Sequence, residues 1–82
     1  MRDAGGHDIN YQSLAGVLDQ QGAAGGAPAQ GNFPAADIAG GALSAAVGIL
    51  AAVLAARTHG RGCHVDISMT DCVMAQNIPA AM

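Results

Sequence analysis

The sequence predicts an α/β fold, of which this chain carries the order helix, helix, strand, helix. Apolar residues recur at helical spacing over residues 11–21 and 38–56. Residues 63–68 alternate between apolar and polar side chains, as a strand does, and residues 69–78 follow as a last helix. Since one strand cannot form a sheet on its own, we expect the partner strands to lie outside these 82 residues.

The composition describes a chain with little material for a core. Nineteen of the 82 residues are Ala and twelve are Gly, whereas there is one Phe, one Tyr and no Trp. A chain of this length buries about 60% of its unfolded surface, so its own core is marginal. The net charge is −3, with six Asp, three Arg and neither Glu nor Lys. This balance excludes a basic nucleic-acid-binding module, and we expect a piece of a larger domain.

The cysteines and the first residues indicate a reducing, cytoplasmic compartment. Cys63 and Cys72 form no dense disulfide framework and have no metal-ligand spacing. His64 adjoins Cys63, but neighbours on a strand point to opposite faces, so no metal site is expected there. The first eight residues lack the apolar core of a signal peptide.

The first predicted helix, residues 11–21, has Asn10 as its N-cap and Gly22 as its stop. Residues 22–36 are rich in Gly, Ala and Pro and are predicted to be a flexible loop. An irregular segment of this length is uncommon in a compact domain and is usually functional or disordered.

The second predicted helix, residues 38–56, carries no charge over nineteen residues, which is near the length of a membrane span. Only seven of the nineteen are Ile, Leu or Val, and no Trp/Tyr belt flanks them, so a buried helix of a soluble protein is the preferred interpretation. One face carries an apolar stripe, formed by Leu43, Val47, Leu50 and Leu54. A second face has almost no side chain and allows close approach of another element, and it consists of Gly40, Ser44 and Gly48.

Two residues near the helix starts have both an ordinary and a catalytic interpretation. Asp37 precedes the second helix, where a carboxylate meets unpaired N–H groups and the positive end of the dipole. It is either such a helix anion or a reactive group held in a cleft. His7 is either a solvated loop histidine or an accessible acid/base group. Elsewhere, Ser68 and Asp71 are spaced as an N-terminal capping pair for the last helix.

Three blocks of the sequence occur in a specific order. They read GHDINY at 6–11, AD-x-x-GG at 36–41 and GRG-x-x-VD-x-S-M-x-D at 60–71. Together they resemble the α-methylacyl-CoA racemases of the family III CoA-transferase (CaiB/BaiF) superfamily. The resemblance covers nearly the whole chain except residues 20–35.

The resemblance implies a Rossmann-like large domain in an interlocked dimer, with an active site between domains of different subunits. Members of the family are several times longer, so residues 1–82 would be a partial N-terminal large domain. It also implies an acyl-CoA substrate, a homodimer, no membrane partner and no cofactor besides the coenzyme A of the substrate.

The matched blocks also imply site residues. By position, His7 and Asp37 match the acid/base pair of the racemases, and the backbone N–H of Asp8 matches the donor to the thioester oxygen. The substrate-binding candidates of the same blocks are Tyr11, Asn10 and Gly40. A further catalytic Glu and most CoA-binding basic residues of the family lie outside this chain. Gln12 departs from the family, which has an apolar residue after the tyrosine, and this bears on substrate preference.

The chemistry explains these residue types. Inverting a carbon next to a thioester requires one group to remove a proton and another to return one on the opposite face. A donor at the thioester oxygen stabilises the enolate. In the transferase relatives the aspartate instead attacks the acyl-CoA, and because those relatives generally lack the histidine, His7 favours a racemase. The alternatives are a CoA-transferase with Asp37 as nucleophile, and an inactive truncated piece or interaction segment.

Overall fold

A computed structural model describes residues 2–77 of the protein. This part contains three helices and no strand. The helices are α1 (Asp8–Leu14), α2 (Ala35–His59) and α3 (Met69–Gln76), with a short 3-10 turn at Leu18–Gln20. The first eight residues of α2, Ala35–Ala42, are wound as a π-helix, and Leu43–His59 continue as an α-helix.

The first helix begins earlier than predicted. His7 is its N-cap, so the assignment of Asn10 as N-cap is wrong. Asn10 lies within the first turn, and its Oδ1 accepts the backbone N–H of His7 at 2.9 Å. This bond gives the backbone N–H of His7 an acceptor, as the side chain of the third helical residue does in a capping box.

The same helix also ends earlier, because Gly16 adopts a left-handed φ of 77°. The Gly16 N–H donates to the Ser13 carbonyl at 3.2 Å, and the Val17 N–H donates to the Gln12 carbonyl at 3.0 Å. These two bonds are those of a Schellman motif. The predicted helix over 11–21 with its stop at Gly22 is therefore wrong, since the stop lies six residues earlier.

The second helix is longer than predicted at both ends. It begins at Ala35, so the predicted loop 22–36 is shorter by two residues and Asp37 lies inside the first turn. It ends at His59, because Gly60 follows with φ 72° and its N–H donates to the Ala56 carbonyl at 2.8 Å.

Residues 63–68 have no strand partner among residues 2–77, so the α/β fold stays a prediction for the longer protein. The burial of residues 64–67 nevertheless alternates as the sequence predicts. Val65 and Ile67 are half-buried beside α2, whereas His64 and Asp66 are exposed. A Cβ placed on Gly48 would lie 3.1 Å from Val65 Cγ1 and 3.4 Å from Ile67 Cδ1, so a larger residue at position 48 would crowd this segment.

The last helix begins as predicted. Ser68 is its N-cap and its Oγ accepts the Asp71 N–H at 3.2 Å. The helix ends at Gln76 with Asn77 as its C-cap, so the predicted end near residue 78 is two residues too late.

The small core lies where α3 crosses the start of α2. Ala36 and Val73 are its buried apolar residues. A Cβ on Gly40 would lie 3.0 Å from the Val73 backbone nitrogen, and one on Gly41 would lie 2.7 Å from Met69 Cγ. The two glycines therefore let the helices approach closely, and of the two only Gly40 belongs to the small face that the sequence predicts.

The rest of α2 extends away from this core. The radius of gyration is 15.5 Å, whereas a compact domain of this length has about 12 Å. The predicted apolar stripe lies in solvent, with Leu50 70% exposed and Val47 and Leu54 each 68% exposed. The described residues therefore bury little of their own apolar surface.

By length and composition, Ala35–His59 is also apolar enough to cross a membrane, with a mean hydropathy of 2.2 over its best window. The core helix of a soluble protein meets the same criterion. A helix that is apolar on all sides is typical of a buried helix in a larger protein or of a membrane span.

Candidate active site

The carboxylate of Asp8 joins α1 to the start of α2. Asp8 is only 6% exposed. Its Oδ1 accepts the backbone N–H groups of Ala36 at 2.8 Å and of Asp37 at 2.9 Å. The first N–H groups of a helix lack intrahelical acceptors, and an anion is stabilised there. The anion that caps α2 is therefore Asp8, and this position is not available to Asp37.

The carboxylate of Asp37 has no such structural task among the described residues. Asp37 is exposed in the first turn of α2. Its side chain makes no hydrogen bond or ion pair within residues 2–77. The side chain is thus open to an external reactant, while its backbone is held by Asp8.

His7 lies next to this anchor. It is exposed at the N-cap of α1, where it forms a capping box with Asn10. Its neighbour in the chain, Asp8, accepts the Asp37 N–H at 2.9 Å, so the backbone of His7 lies one residue from the contact with the Asp37 segment. The structure thus brings the two segments together through Asp8 and shows no bond between the two side chains.

The backbone N–H of Asp8 is the third candidate. Asp8 is the first residue of α1, so its N–H has no acceptor within the helix. Residues 2–77 supply no other acceptor for it. A ligand oxygen could therefore accept from this group, as the resemblance implies for the thioester.

Gln12 belongs to this site, although the sequence marks it only as a departure from the family. It is fully buried and is the largest such side chain in the described part of the chain. Its Nε2 donates to Asp8 Oδ2 at 2.5 Å, and its Oε1 accepts from Gln21 Nε2 at 2.6 Å. Gln21 Oε1 in turn accepts the Gly31 N–H at 3.0 Å. The sequence holds one sign of this bond: Asp8 and Gln12 are four positions apart, which places them on the same face of a helix.

A cavity of about 340 Å³ lies between the residues that precede His7 and the outer side of α1. It is lined by Ala4, Gly5, Gly6, Asn10, Tyr11, Ser13 and Leu14. The Tyr11 ring packs on Gly6, because a Cβ there would lie 2.7 Å from the Tyr11 Oη. Of the three predicted substrate-binding residues, Asn10 and Tyr11 line this cavity, whereas Gly40 is buried against α3.

No group of three His, Cys, Asp or Glu side chains within residues 2–77 is arranged to hold a metal ion. Cys63 and Cys72 are free thiols.

The profile of CoA-transferase family III matches residues 1–82. The chain belongs to this family. The resemblance inferred from the three sequence blocks is thereby confirmed at the level of the family III CoA-transferases.

Curated relatives of this family III chain include a CaiB/baiF CoA-transferase family protein of Caenorhabditis elegans. It is 49% identical over 74 residues, covering 83% of this chain and 21% of the relative. The alpha-methylacyl-CoA racemases of Homo sapiens and Mus musculus are each 41% identical over 66 residues, covering 80% of this chain and 17% of the relative. The chain therefore spans about a fifth of the length of the curated relatives it matches. No solved structure matches the chain.

Proposed function

We propose that this chain carries the acid/base pair of a family III enzyme that racemises the α carbon of 2-methylacyl-CoA thioesters. The observation that carries the proposal is the bond from the Asp37 N–H to the Asp8 carboxylate. It couples the segment of His7 to that of Asp37, while both functional side chains stay open to a reactant. The names of the mammalian relatives support the choice of reaction.

In this mechanism one of the two groups removes the α proton and the other returns a proton to the opposite face. The imidazole of His7 and the carboxyl of Asp37 exchange these roles for the two enantiomers. The N–H of Asp8 donates to the thioester oxygen and stabilises the enolate formed in between. The Rossmann-like α/β domain, the interlocked homodimer and the cytoplasmic location remain proposals for the longer protein.

A second candidate is a CoA-transferase in which Asp37 attacks the acyl-CoA. The exposed carboxylate of Asp37, without a hydrogen-bond partner among the described residues, fits a nucleophile equally well. The relative from C. elegans bears the transferase family name. His7 is the residue that favours the racemase, because the transferase step has no need of a second base.

A third candidate is a truncated, inactive piece that acts as an interaction segment. The exposed stripe of α2, 70% exposed at Leu50, is the observation that favours it. An apolar surface of this kind marks a contact or aggregation site.

The test uses the full-length protein and follows exchange of the α proton of a 2-methylacyl-CoA in deuterated water. We expect His7→Ala to lower the exchange rate about a hundredfold or more, which is the usual effect of removing a positioned acid or base. His59→Ala is the matched control, since His59 is exposed in the last turn of α2. If the His7→Ala variant exchanges the α proton at the wild-type rate, the proposed racemase function is wrong.

The transferase is tested with the same variants, by following transfer of CoA between two carboxylic acids. If His7→Ala keeps this transfer while Asp37→Ala loses it, the transferase is the correct function. Asp66→Ala is the control for the aspartate, because Asp66 is exposed on the segment after α2.

A further inference from the structure

The hydrogen bonds around Asp8 all have the same direction. The Gly31 N–H donates to Gln21, Gln21 donates to Gln12, and Gln12 donates to Asp8 Oδ2. From the other side, the N–H groups at the start of α2 donate to Oδ1. Every partner of Asp8 is a donor, and a carboxylate is an acceptor at both oxygens. Along the whole chain of bonds each donor therefore faces an acceptor.

From this arrangement we propose that Gln12 is a positioning residue for Asp37 and acts through the carboxylate of Asp8. Its catalytic consequence rests on the function proposed above, whereas its effect on the geometry does not. Gln12 holds Oδ2, so that Oδ1 stays directed at the N–H groups of Ala36 and Asp37.

Gln12 suits this position because its amide has a donor and an acceptor on opposite sides. Gln21 donates to the Oε1 of Gln12, which leaves the Nε2 directed at Asp8. The reversed amide would place two acceptors against each other at Asp8 and two donors at Gln21. The orientation of the Gln12 amide is thus determined by Gln21. Its Oε1 accepts the Gly31 N–H, which leaves its Nε2 to donate to Gln12.

Removing Gln12 would leave Asp8 Oδ2 with one remaining side-chain donor, Gln30 Nε2 at 3.4 Å. The carboxylate can then rotate and lose its hold on the first turn of α2. A displacement of about 1 Å at a reacting group can cost on the order of a hundredfold in rate. The effect falls on the proton transfer itself and not on substrate binding.

The test compares Gln12→Leu with Gln20→Leu in the full-length protein. Gln20 is exposed and its side chain makes no hydrogen bond within residues 2–77, so it is a matched control. We expect Gln12→Leu to lower kcat about tenfold or more with little change in KM, the pattern of an interaction that serves the transition state. We also expect the amide proton of Asp37 to exchange about tenfold faster or more, because its bond to the charged Asp8 carboxylate is weakened.

A charge exchange provides the test if Gln12→Leu does not fold. Asp8→Asn places a donor against the Gln12 amide, and Gln12→Glu places two carboxylates together. The double variant restores the pattern from Gln21 to α2, because the amide made by Asp8→Asn can accept from α2 and donate to the carboxylate made by Gln12→Glu, which still accepts from Gln21; only the 3.4 Å contact from Gln30 is lost. We expect the Asp37 amide to exchange more slowly in the double variant than in either single one.

Three results would overturn the proposal. The first is wild-type kcat and wild-type amide exchange in a folded Gln12→Leu, and the second is an equal loss in Gln20→Leu. The third is a double variant whose Asp37 amide is no better protected than in the single variants. If the wild-type protein exchanges no α proton, the proposed racemase fails by itself, and the amide exchange rates alone decide the role of Gln12.

Discussion

Asp8 and Asp37 lie 29 residues apart, and the side chain of the first accepts the backbone N–H of the second at 2.9 Å. One carboxylate thus closes the N-terminus of α2 from a different helix. The aspartate with the exposed carboxylate is held in place by the aspartate that is buried. This division of tasks leaves Asp37 free of a structural role at its own side chain.

The buried carboxylate predicts a large stability effect. Asp8→Ala removes the acceptor of two backbone N–H groups and of the Gln12 amide. We expect it to lower the free energy of unfolding of the full-length protein by about 2–4 kcal/mol, as hydrogen bonds to a charged group in a buried place are lost. Urea unfolding measures this. Asp19→Ala, at an exposed position, should stay within about 0.5 kcal/mol, and equal effects would contradict the role of Asp8.

The cavity lined by Gly6 and Tyr11 predicts a functional effect of a substitution at Gly6. Gly6→Ala forces the Tyr11 ring to move, because the new Cβ would lie 2.7 Å from its Oη. We expect a higher KM for the acyl-CoA and only a small loss of stability, since the end of the ring can shift. Gly62→Ala is the control, as a Cβ there meets nothing within 4 Å and Gly62 does not line this cavity. Steady-state kinetics of both variants decide whether this cavity receives the substrate.

The crossing of α2 and α3 predicts a penalty at Gly40. Alanine favours a helix by about 1 kcal/mol over glycine, yet its Cβ here would lie 3.0 Å from the backbone nitrogen of Val73. Since backbone cannot yield easily, we expect Gly40→Ala to be net destabilising by about 1–3 kcal/mol. Gly62→Ala, in open space without a left-handed φ, should have little effect. A more stable Gly40→Ala protein in thermal unfolding would show that the two helices are less close.

The exposed stripe of α2 predicts self-association of the 82-residue chain on its own. We expect it to elute as larger species in size-exclusion chromatography, since Leu50 and its neighbours on the stripe are two-thirds or more exposed. Leu50→Lys should shift the elution toward the monomer, whereas Ala51→Lys, which adds the same charge at an exposed alanine, should shift it less. A sharp wild-type monomer with strongly protected amides would contradict this prediction.

The local parts of the fold could be predicted from the sequence, and the errors arose at helix ends. Ser68 was found as an N-cap because its partner is three residues away. The sequence does not show that α1 stops at Gly16, because both Gly16 and Gly22 can adopt a left-handed φ, and both do. Only the Schellman bonds around Gly16 decide which glycine ends α1. The local sequence alone does not tell which of two such glycines ends the helix.

The long-range parts of the site could not be predicted in the same way. Asp37 was expected to precede its helix, and one of its two interpretations was that of a helix anion. The structure assigns that task to Asp8, because a contact over 29 residues leaves no trace in local spacing. Gln12 was likewise noted only as an unusual residue, since its full burial depends on Gln21 and on the loop that follows.

Because the start of α2 is wound as a π-helix, the number of residues between Asp37 and Gly48 determines how Asp37 is oriented in the site. Leu43 donates its N–H to the Ile38 carbonyl, five residues back, so this stretch holds more residues per turn than the α-helix that follows. Deleting one residue between Asp37 and Gly48 would turn these two positions by about 100° relative to each other. With Gly48 fixed against Val65, the deletion would rotate Asp37 away from Asp8. The number of residues from Asp37 to Gly48 therefore has to be kept for Asp37 to stay at Asp8.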